Sequence, residues 1–166
     1  KAITRAAREC FSSTVELYAS PLNCDMSPGM TYCSAFQEDT HFGAIHNCHD
    51  YRWTHSCLGN PEYESEDMRA AVAHALASAD SPSPFLCMLT LPAWDSAPWR
   101  SRDILDHENV EILLRLDHSQ LKFVPADRSV ELEDISTQTP SSWPVELVIV
   151  VNTAYSLLGR VLASCA

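Results

Sequence analysis

Residues 56–63, which read Ser-Cys-Leu-Gly-Asn-Pro-Glu-Tyr, combine groups that can hold the amine of a nucleobase. The side-chain oxygen of Asn60 and the main-chain carbonyl of Pro61 can both accept hydrogen bonds from an exocyclic amine, and Tyr63 can stack on the base. Methyltransferases that modify such an amine need this arrangement. Taken alone, residues 60–63 also fit a simple turn that ends a strand and starts a helix.

The elements around this turn follow from hydrophobic periodicity. Apolar residues recur at helical spacing from Met68 to Ala79, which predicts a helix over 65–79 with acidic residues at its start. Two mostly apolar runs, 84–91 and 145–151, are typical of strands covered on both faces. Shorter patterns predict helices at 2–12, at 105–116 and from 153 through 162. They predict strands at 15–19, 49–54, 56–58 and 121–124, and an element of undecided type at 31–36. Loops are predicted at 25–29 and 131–142.

The alternation of apolar strands with amphipathic helices predicts an α/β fold, a mostly parallel sheet flanked by helices, in one domain over residues 1–166. Open α/β sheets bind ligands outside the carboxyl ends of their strands. Asn60 follows a predicted strand directly, so we expect it at a ligand-binding edge of the sheet.

The chain is acidic, with a formal net charge of −11 over 166 residues. This charge argues against a protein that grips nucleic acid with its whole surface, because phosphate binding needs clustered Lys and Arg. An acidic chain can still act on RNA when a protein partner supplies the basic surface, or it can be part of a large assembly. No apolar run reaches membrane-spanning length, so no membrane association is expected. Local positive density is expected from a few residues: Lys1, Arg5, Arg8, Arg100 and Arg102.

The seven cysteines are irregularly spaced and odd in number, which favours free thiols in a reducing, intracellular compartment over a disulfide framework. The nucleus and an organelle are not distinguished by this argument. Residues 41–57 hold several His and Cys side chains of the types that bind zinc. They lack a C-x₂-C pair and crowd His46, Cys48 and His49 together, so we expect no metal site and interpret them as loop and strand residues.

Several blocks of this chain resemble one family in their order along the sequence. Residues 17–24, Leu-Tyr-Ala-Ser-Pro-Leu-Asn-Cys, are similar to a "F-A-S-P-L-N-C" segment of the phosphorylated CTD-interacting factor family. Residues 60–63 fall where that family has Asn-Pro-Pro-Phe, and residues 91–94, Leu-Pro-Ala-Trp, resemble its "I-P-E-W". Further blocks at 32–36, 42–43 and 48–51 extend the resemblance over about residues 12–155.

The family consists of cap-specific adenosine-N6 methyltransferases, and the resemblance therefore implies a Rossmann-like methyltransferase fold. It also implies S-adenosylmethionine as methyl donor and RNA cap adenosine as substrate class. Asn60 and the Pro61 carbonyl would hold the adenine amine, while Tyr63 would stack on the base. No G-x-G motif is present. The turn formed by Ser20, Pro21 and Asn23 is the candidate for contact with the donor.

Three features leave alternatives open. Glu62 stands where the family has a second proline, which would rigidify the turn. Asp50 follows a predicted strand and can either hold the donor ribose or serve as a turn acceptor. Trp94 and Trp99, close to two arginines, can form a stacking surface or pack against the core.

The sequence thus supports two functional interpretations. In one, the domain transfers methyl groups to RNA. In the other, it is a catalytically inactive relative that binds protein partners within a ribonucleoprotein or another large complex.

Overall fold

A seven-stranded sheet forms the centre of the molecule. The computed structural model describes residues 2–118, 120, 122–123 and 139–155. The strands of the sheet lie in the spatial order β3-β2-β1-β4-β5-β9-β6. In chain order they are β1 (Val15–Glu16), β2 (Thr31–Ser34), β3 (Ile45–His46), β4 (Cys57–Gly59), β5 (Leu86–Pro92), β6 (Val110–Leu116) and β9 (Val145–Val151). Two short strands, β7 (Lys122–Phe123) and β8 (Thr139–Pro140), pair separately in antiparallel fashion.

Strands β3, β2, β1, β4 and β5 run parallel to their neighbours. Strand β9 is antiparallel to both β5 and β6. The prediction of an α/β fold with a mostly parallel sheet is therefore confirmed. The two long apolar runs are both strands, as predicted, and they lie next to each other in the sheet. The order of these five parallel strands is that of a doubly wound Rossmann sheet, in which the order of addition switches from one side of β1 to the other between β3 and β4.

Helices cover both faces of the sheet. Helix α1 (Ala2–Phe11) packs on one face, and α2 (Ser65–Ala79) packs on the other. Strand β5 shows why both are needed, because successive side chains of a strand point to opposite faces. Leu86 and Met88 join the cluster under α1, whereas Cys87, Leu89 and Leu91 join the larger cluster under α2. The predicted helix over 65–79 and the predicted helix over 2–12 are confirmed.

The predicted helix over 105–116 is wrong. The only helical residues near it form the short α3 (Arg102–Leu105), and Val110–Leu116 is strand β6 at the edge of the sheet. The segment Val-Glu-Ile-Leu-Leu-Arg-Leu has apolar residues that fit a helical stripe as well as a strand. Pairing with β9 decides between them, because it satisfies the backbone hydrogen bonds of a segment rich in aliphatic residues.

The predicted strand over 49–54 is also wrong. Residues 48–50 form a single 3₁₀ turn, in which the side chain of Asn47 accepts a hydrogen bond from the His49 amide. The strand of this region lies just upstream, at β3, where it pairs with β2. An Asn side chain that bonds its own backbone favours a turn over an extended strand.

Other predicted elements agree with the structure in position but are shorter. The strand predicted at 15–19 is β1, although the hydrogen bond from the Ala19 amide to the Cys33 carbonyl continues its pairing. The undecided segment 31–36 contains β2, the strand predicted at 56–58 is β4, and the segment 121–124 contains β7. The predicted loop 131–142 lies outside the described residues up to 138. The loop prediction is wrong at Thr139–Pro140, which form β8, and residues 141–142 belong to no helix or strand. The predicted terminal helix begins with residues 153–155, and its remainder lies outside the described part of the chain.

Within the described residues, no helix has the length and apolar character needed to span a lipid bilayer. In the same residues, no group of three or more His, Cys, Asp or Glu side chains is arranged to hold a metal ion. The six described cysteines are all free thiols.

A candidate nucleobase site at the carboxyl end of β4

Asn60 lies immediately after β4, at the carboxyl end of the parallel part of the sheet. Its side chain is exposed, whereas Pro61 is fully buried and anchors the turn to the core. The Tyr63 hydroxyl donates a hydrogen bond to Oδ1 of Asn60 over 2.8 Å. Burial raises the pKa of Tyr63 well above its ordinary value, so the hydroxyl stays protonated and remains a donor.

Three aromatic rings surround a cavity beside Asn60. The ring centroids of Tyr63 and Trp94 are 6.2 Å apart, those of Tyr63 and Trp143 are 6.0 Å apart, and those of Trp94 and Trp143 are 5.3 Å apart. All three pairs meet edge to face, an arrangement that aromatic side chains favour. The cavity has a volume of about 440 Å³, within the usual range for small-molecule sites. Its lining consists of Asn60, Pro61, Glu62, Tyr63, Glu64, Trp94 and Trp143.

The antiparallel pairing of β5 with β9 brings the two tryptophans together. Trp94 follows the end of β5 and Trp143 precedes the start of β9, and the two strands are paired at Pro92 and Val145. The Ala93 amide donates to the Pro144 carbonyl over 2.9 Å and extends this pairing toward the cavity. Trp143 was not a candidate from the sequence. Trp143 lies just before the apolar strand β9, and this position places it at the cavity only because β9 runs antiparallel beside β5.

Trp143 also leaves a polar group without a partner. Its indole Nε1 is buried, and no described residue accepts its hydrogen. A buried donor without an acceptor costs roughly 1–3 kcal/mol. An acceptor on a bound molecule is one way to satisfy this group, because Trp143 lines the cavity.

Two carboxylates give the cavity an acidic rim. Glu62 and Glu64 both line the cavity and are exposed. Helix α2 starts at the next residue, and neither carboxylate makes a hydrogen bond or an ion pair with any described residue. The Glu62 side chain is therefore solvated and leaves the Asn60 side chain accessible.

The turn after β1 is closed by its own hydrogen bonds. The Ser20 amide donates to Oδ1 of Asn23 over 2.7 Å, and the Asn23 and Cys24 amides donate to the Ser20 carbonyl over 3.1 and 3.0 Å. The Leu22 amide donates to the Ser20 hydroxyl. The Ser20 hydroxyl also donates to Oδ1 of Asn23 over 3.3 Å, so the side chains of Ser20 and Asn23 are bonded inside the turn together with these amides.

Two carboxylates lie near the neighbouring strand ends. Asp50 follows β3, and its carboxylate accepts a hydrogen bond from the Asn47 side chain over 2.7 Å, so it acts as a turn acceptor. Asp39, which the sequence argument missed, lies after β2 and accepts a 2.5 Å hydrogen bond from Ser34. In dinucleotide-binding sheets an acidic residue in this part of the fold holds the ribose. Strand order, rather than sequence spacing, points to Asp39.

Tyr18 joins the region that follows β1 to the region that follows β4. It has a positive φ of 56°, and its hydroxyl lies 3.0 Å from Nε2 of His49. Its ring lies against Gly59, where an added Cβ would be 3.0 Å from Cδ2 of the tyrosine. The absence of a side chain at Gly59 therefore makes room for the Tyr18 ring directly before Asn60.

Trp99 packs in the core and does not form part of a stacking surface. The side chain is fully buried, and its Nε1 donates to the Pro92 carbonyl over 3.0 Å. Of the two tryptophans considered from the sequence, only Trp94 faces the cavity.

Comparison with known proteins defines the class to which this fold and site belong. A family model described as "Phosphorylated CTD interacting factor 1 WW domain" matches residues 1–122. These residues include strands β1 to β6 and the turn with Asn60, and they make up well over half of the chain. The chain therefore belongs to the phosphorylated CTD interacting factor 1 family, as the sequence blocks indicated.

A particular relative is the human protein named mRNA (2'-O-methyladenosine-N(6)-)-methyltransferase. It is 33% identical to this chain over 99 residues, which is 58% of the chain and 14% of the human protein. The chain thus matches only a small part of that relative's length.

Proposed function

We propose that this chain is an RNA methyltransferase-type domain whose cavity beside β4 receives an adenine base and directs its N6 amine to a methyl donor. The observation that carries the proposal is the placement of Asn60 at a carboxyl strand end, beside a cavity with three aromatic rings. Membership of the family and the name of the human relative support the substrate class.

The hydrogen-bonding capacity of Asn60 is sufficient for this role. A carboxamide oxygen has two lone pairs, and the Tyr63 hydroxyl uses one of them. The second lone pair and the Pro61 carbonyl can each accept one hydrogen of the amine. Tyr63 thereby orients the amide of Asn60, and the rings of Trp94 and Trp143 hold the base by stacking or edge contacts.

No general base is required at this site. The nitrogen of an exocyclic amine needs to be held in line with the methyl group, and the positive charge that develops on it needs stabilisation. The carbonyl oxygens of Asn60 and Pro61 provide both, because they turn negative dipole ends toward the amine.

S-adenosylmethionine is the expected donor and supplies a methyl group on a positively charged sulfur when bound. The residues at the ends of β1 and β2 fit this molecule at side-chain level. Asp39 offers a carboxylate to the ribose hydroxyls, and the side chains of Ser20 and Asn23 would exchange their mutual hydrogen bonds for contacts with the amino-acid end. Pro21 keeps this turn rigid. Asp50 lies on the adjoining loop and completes the acidic side of the region.

Methyl transfer to RNA tests the proposal. The chain is incubated with isotopically labelled S-adenosylmethionine and a capped RNA that begins with adenosine, and N6-methyladenosine is quantified after digestion. A capped RNA that begins with guanosine is the control. Labelled N6-methyl product from the adenosine RNA alone is the expected result. Absence of product with both RNAs, in a chain shown to be folded, rejects catalysis.

A second candidate function is an inactive methyltransferase-type subunit. Two observations favour it: the amides of the Ser20 turn are consumed internally, and Glu62 replaces the proline of the family motif. Calorimetry with S-adenosylmethionine distinguishes the two candidates. Measurable heat of binding supports the enzyme, whereas a folded chain that binds no donor at millimolar concentration and co-purifies in a large complex supports the subunit.

Either function implies RNA and protein partners inside the cell. A chain with a net charge of −11 gains affinity for RNA when a basic partner surface lies beside it. A nuclear location agrees with a relative named for mRNA. Fractionation followed by immunodetection checks this location.

A further inference from the structure

One buried carboxylate in the sheet holds two guanidinium groups. Glu146 in β9 is only 3% exposed and accepts hydrogen bonds from Arg100 and from Arg115, the latter over 3.3 Å. Arg100 is largely buried, and its guanidinium carbon lies 5.3 Å from the centre of the Trp99 ring. These contacts fix Arg100 in place, so Glu146 is already neutralised without Arg115.

Arg115 therefore carries a positive charge that the cluster does not need. Two guanidinium groups share one carboxylate, which leaves an excess of one positive charge in a strongly acidic chain. The side chain of Arg115 is 50% exposed, and only one of its nitrogens contacts Glu146. Its remaining N–H groups face solvent and have the fork geometry that matches a phosphate.

The cluster lies on the same side of the sheet as the aromatic cavity. Glu146 is paired with Leu91 on one side and with Arg115 on the other. Leu91, Val148 and Trp99 belong to the core cluster under α2, and Trp94 packs against that cluster. Residues of a strand that are two apart share a face, so Glu146 shares the face of Val148.

The distance between cavity and cluster suits neighbouring parts of one RNA strand. Trp143 is three residues before Glu146, which corresponds to about 10 Å along an extended chain. A base in the cavity therefore has its own backbone, or that of the adjoining nucleotide, within reach of Arg115.

We propose that Arg115, held by Glu146 beside Arg100, binds a backbone phosphate of the RNA strand whose base enters the aromatic cavity. The inference rests on the proposed function, because it assigns the base to the cavity. It explains how a chain with an acidic cavity rim retains a nucleotide: the base meets Asn60 and the aromatic rings, and the negative charge of the backbone meets the positive charge of Arg115.

The test compares ligands that differ in phosphate. Calorimetry measures binding of adenosine, of a three-adenosine oligoribonucleotide and of inorganic phosphate to the unmodified chain, to Arg115→Gln and to Arg52→Gln. Arg52 is an exposed arginine on the loop before β4 and serves as the matched control. The Arg115→Gln variant keeps the ion pair between Arg100 and Glu146, so it should fold normally.

The expected result is a loss of about tenfold in oligonucleotide affinity for Arg115→Gln, with adenosine affinity unchanged and Arg52→Gln equal to the unmodified chain. The salt dependence of oligonucleotide binding should also fall by roughly 0.7 in logarithmic slope. Equal oligonucleotide affinity for all three chains overturns the inference. An affinity for inorganic phosphate equal to the affinity for the oligonucleotide also overturns the inference.

The outcome for adenosine separates this inference from the proposed function. If adenosine does not bind but the oligonucleotide binds through Arg115, the base cavity is rejected and the phosphate contact stands. If adenosine binds and Arg115→Gln has no effect, the cavity stands and the phosphate contact is rejected. If none of the three ligands binds, both are overturned.

Discussion

The two halves of the carboxyl edge of the sheet differ in how their polar groups are used. After β4 and β5, the groups surround an open cavity, and the Trp143 indole has no partner among the described residues. After β1 and β2, the corresponding groups bond to one another, as in the Ser20 turn and the pair of Ser34 and Asp39. Only the first half is arranged in advance for a ligand.

Under the proposed function, this difference would separate recognition of the base from recognition of the methyl donor. A cavity with ring faces and spare acceptors binds a base without rearrangement, whereas a turn closed by internal hydrogen bonds must exchange those bonds for contacts with a ligand. Such an exchange lowers affinity by the free energy of the bonds that are given up, about 1 kcal/mol for each. We therefore expect base binding to be tighter than donor binding in this chain.

The largest expected effect is that of Asn60→Ala. Removing the carboxamide leaves the base amine with the Pro61 carbonyl alone, and methyl transfer should fall by roughly 100-fold or more, since this is the usual cost of losing one fixed dipole at a reacting group. The rate of methyl transfer under single-turnover conditions is the measurement. Asn109→Ala, at the opposite end of β9, is the control and should keep the normal rate. A rate for Asn60→Ala close to that of the control contradicts the assigned role.

Gly59→Ala tests the contact that joins the two halves. The new Cβ would lie 3.0–3.1 Å from two ring carbons of Tyr18, so the ring must shift. We expect a loss of about 1–3 kcal/mol in the free energy of unfolding, measured by urea denaturation. In a Tyr18→Ala background the same substitution should cost much less. Equal costs in the two backgrounds would show that the ring is not the obstacle.

Glu62→Pro should have a small effect. The Glu62 side chain is exposed, and proline at this position restores the second proline of the family motif. Activity should stay similar or increase, and the free energy of unfolding should rise by about 0.4–1 kcal/mol because the unfolded chain loses freedom. Single-turnover rates and urea denaturation measure the two effects. A variant that gains donor binding where the unmodified chain has none would show that Glu62 alone disables the donor side.

The smallest expected effect is a dependence of the free energy of unfolding on pH, caused by His49, which contacts Tyr18 after β1. Burial lowers the pKa of His49, the neighbouring His74 lowers it further, and Asp67 and Asp50 oppose both. The unfolded chain therefore takes up this proton at a higher pH than the folded chain does. The contribution of His49 to the free energy of unfolding is fully present above about pH 7. It is lost as the pH falls through about 6.5 toward the lower pKa that His49 has in the folded chain.

Urea denaturation of the unmodified chain and of His49→Gln between pH 5 and 8 measures that dependence. The variant should lose less free energy of unfolding on acidification than the unmodified chain. Parallel curves would assign the acid sensitivity to other groups.

The elements that could be predicted are those with long, uniform patterns. Helix α2 repeats its apolar stripe over four turns, and the long strands β5 and β9 are apolar except for Thr90 and Glu146, so local pattern and tertiary environment agree. Strands β1 and β3 are only two residues long, and their existence depends on pairing with β2. Strand β6 carries a pattern that fits a helix equally well, and its partner β9 decides the outcome.

The candidate site shows the same division. Asn60, Pro61 and Tyr63 could be named from the sequence because they are adjacent in the chain and follow a strand. Trp143 and Asp39 could not, because each acquires meaning only from the strand beside it. The roles of Asn60, Pro61 and Tyr63 toward the base remain predictions. So do the roles of Ser20, Pro21, Asn23 and Asp50 toward the donor.

By itself the sequence determined the family, the α/β class and the turn that presents Asn60, because residue order and local periodicity carry that information. The tertiary structure decided which distant side chains meet that turn. The antiparallel insertion of β9 between β5 and β6 brings Trp143 to the cavity and Glu146 to its two arginines. Such encounters depend on the direction and order of paired strands, and no local pattern of apolar residues encodes them.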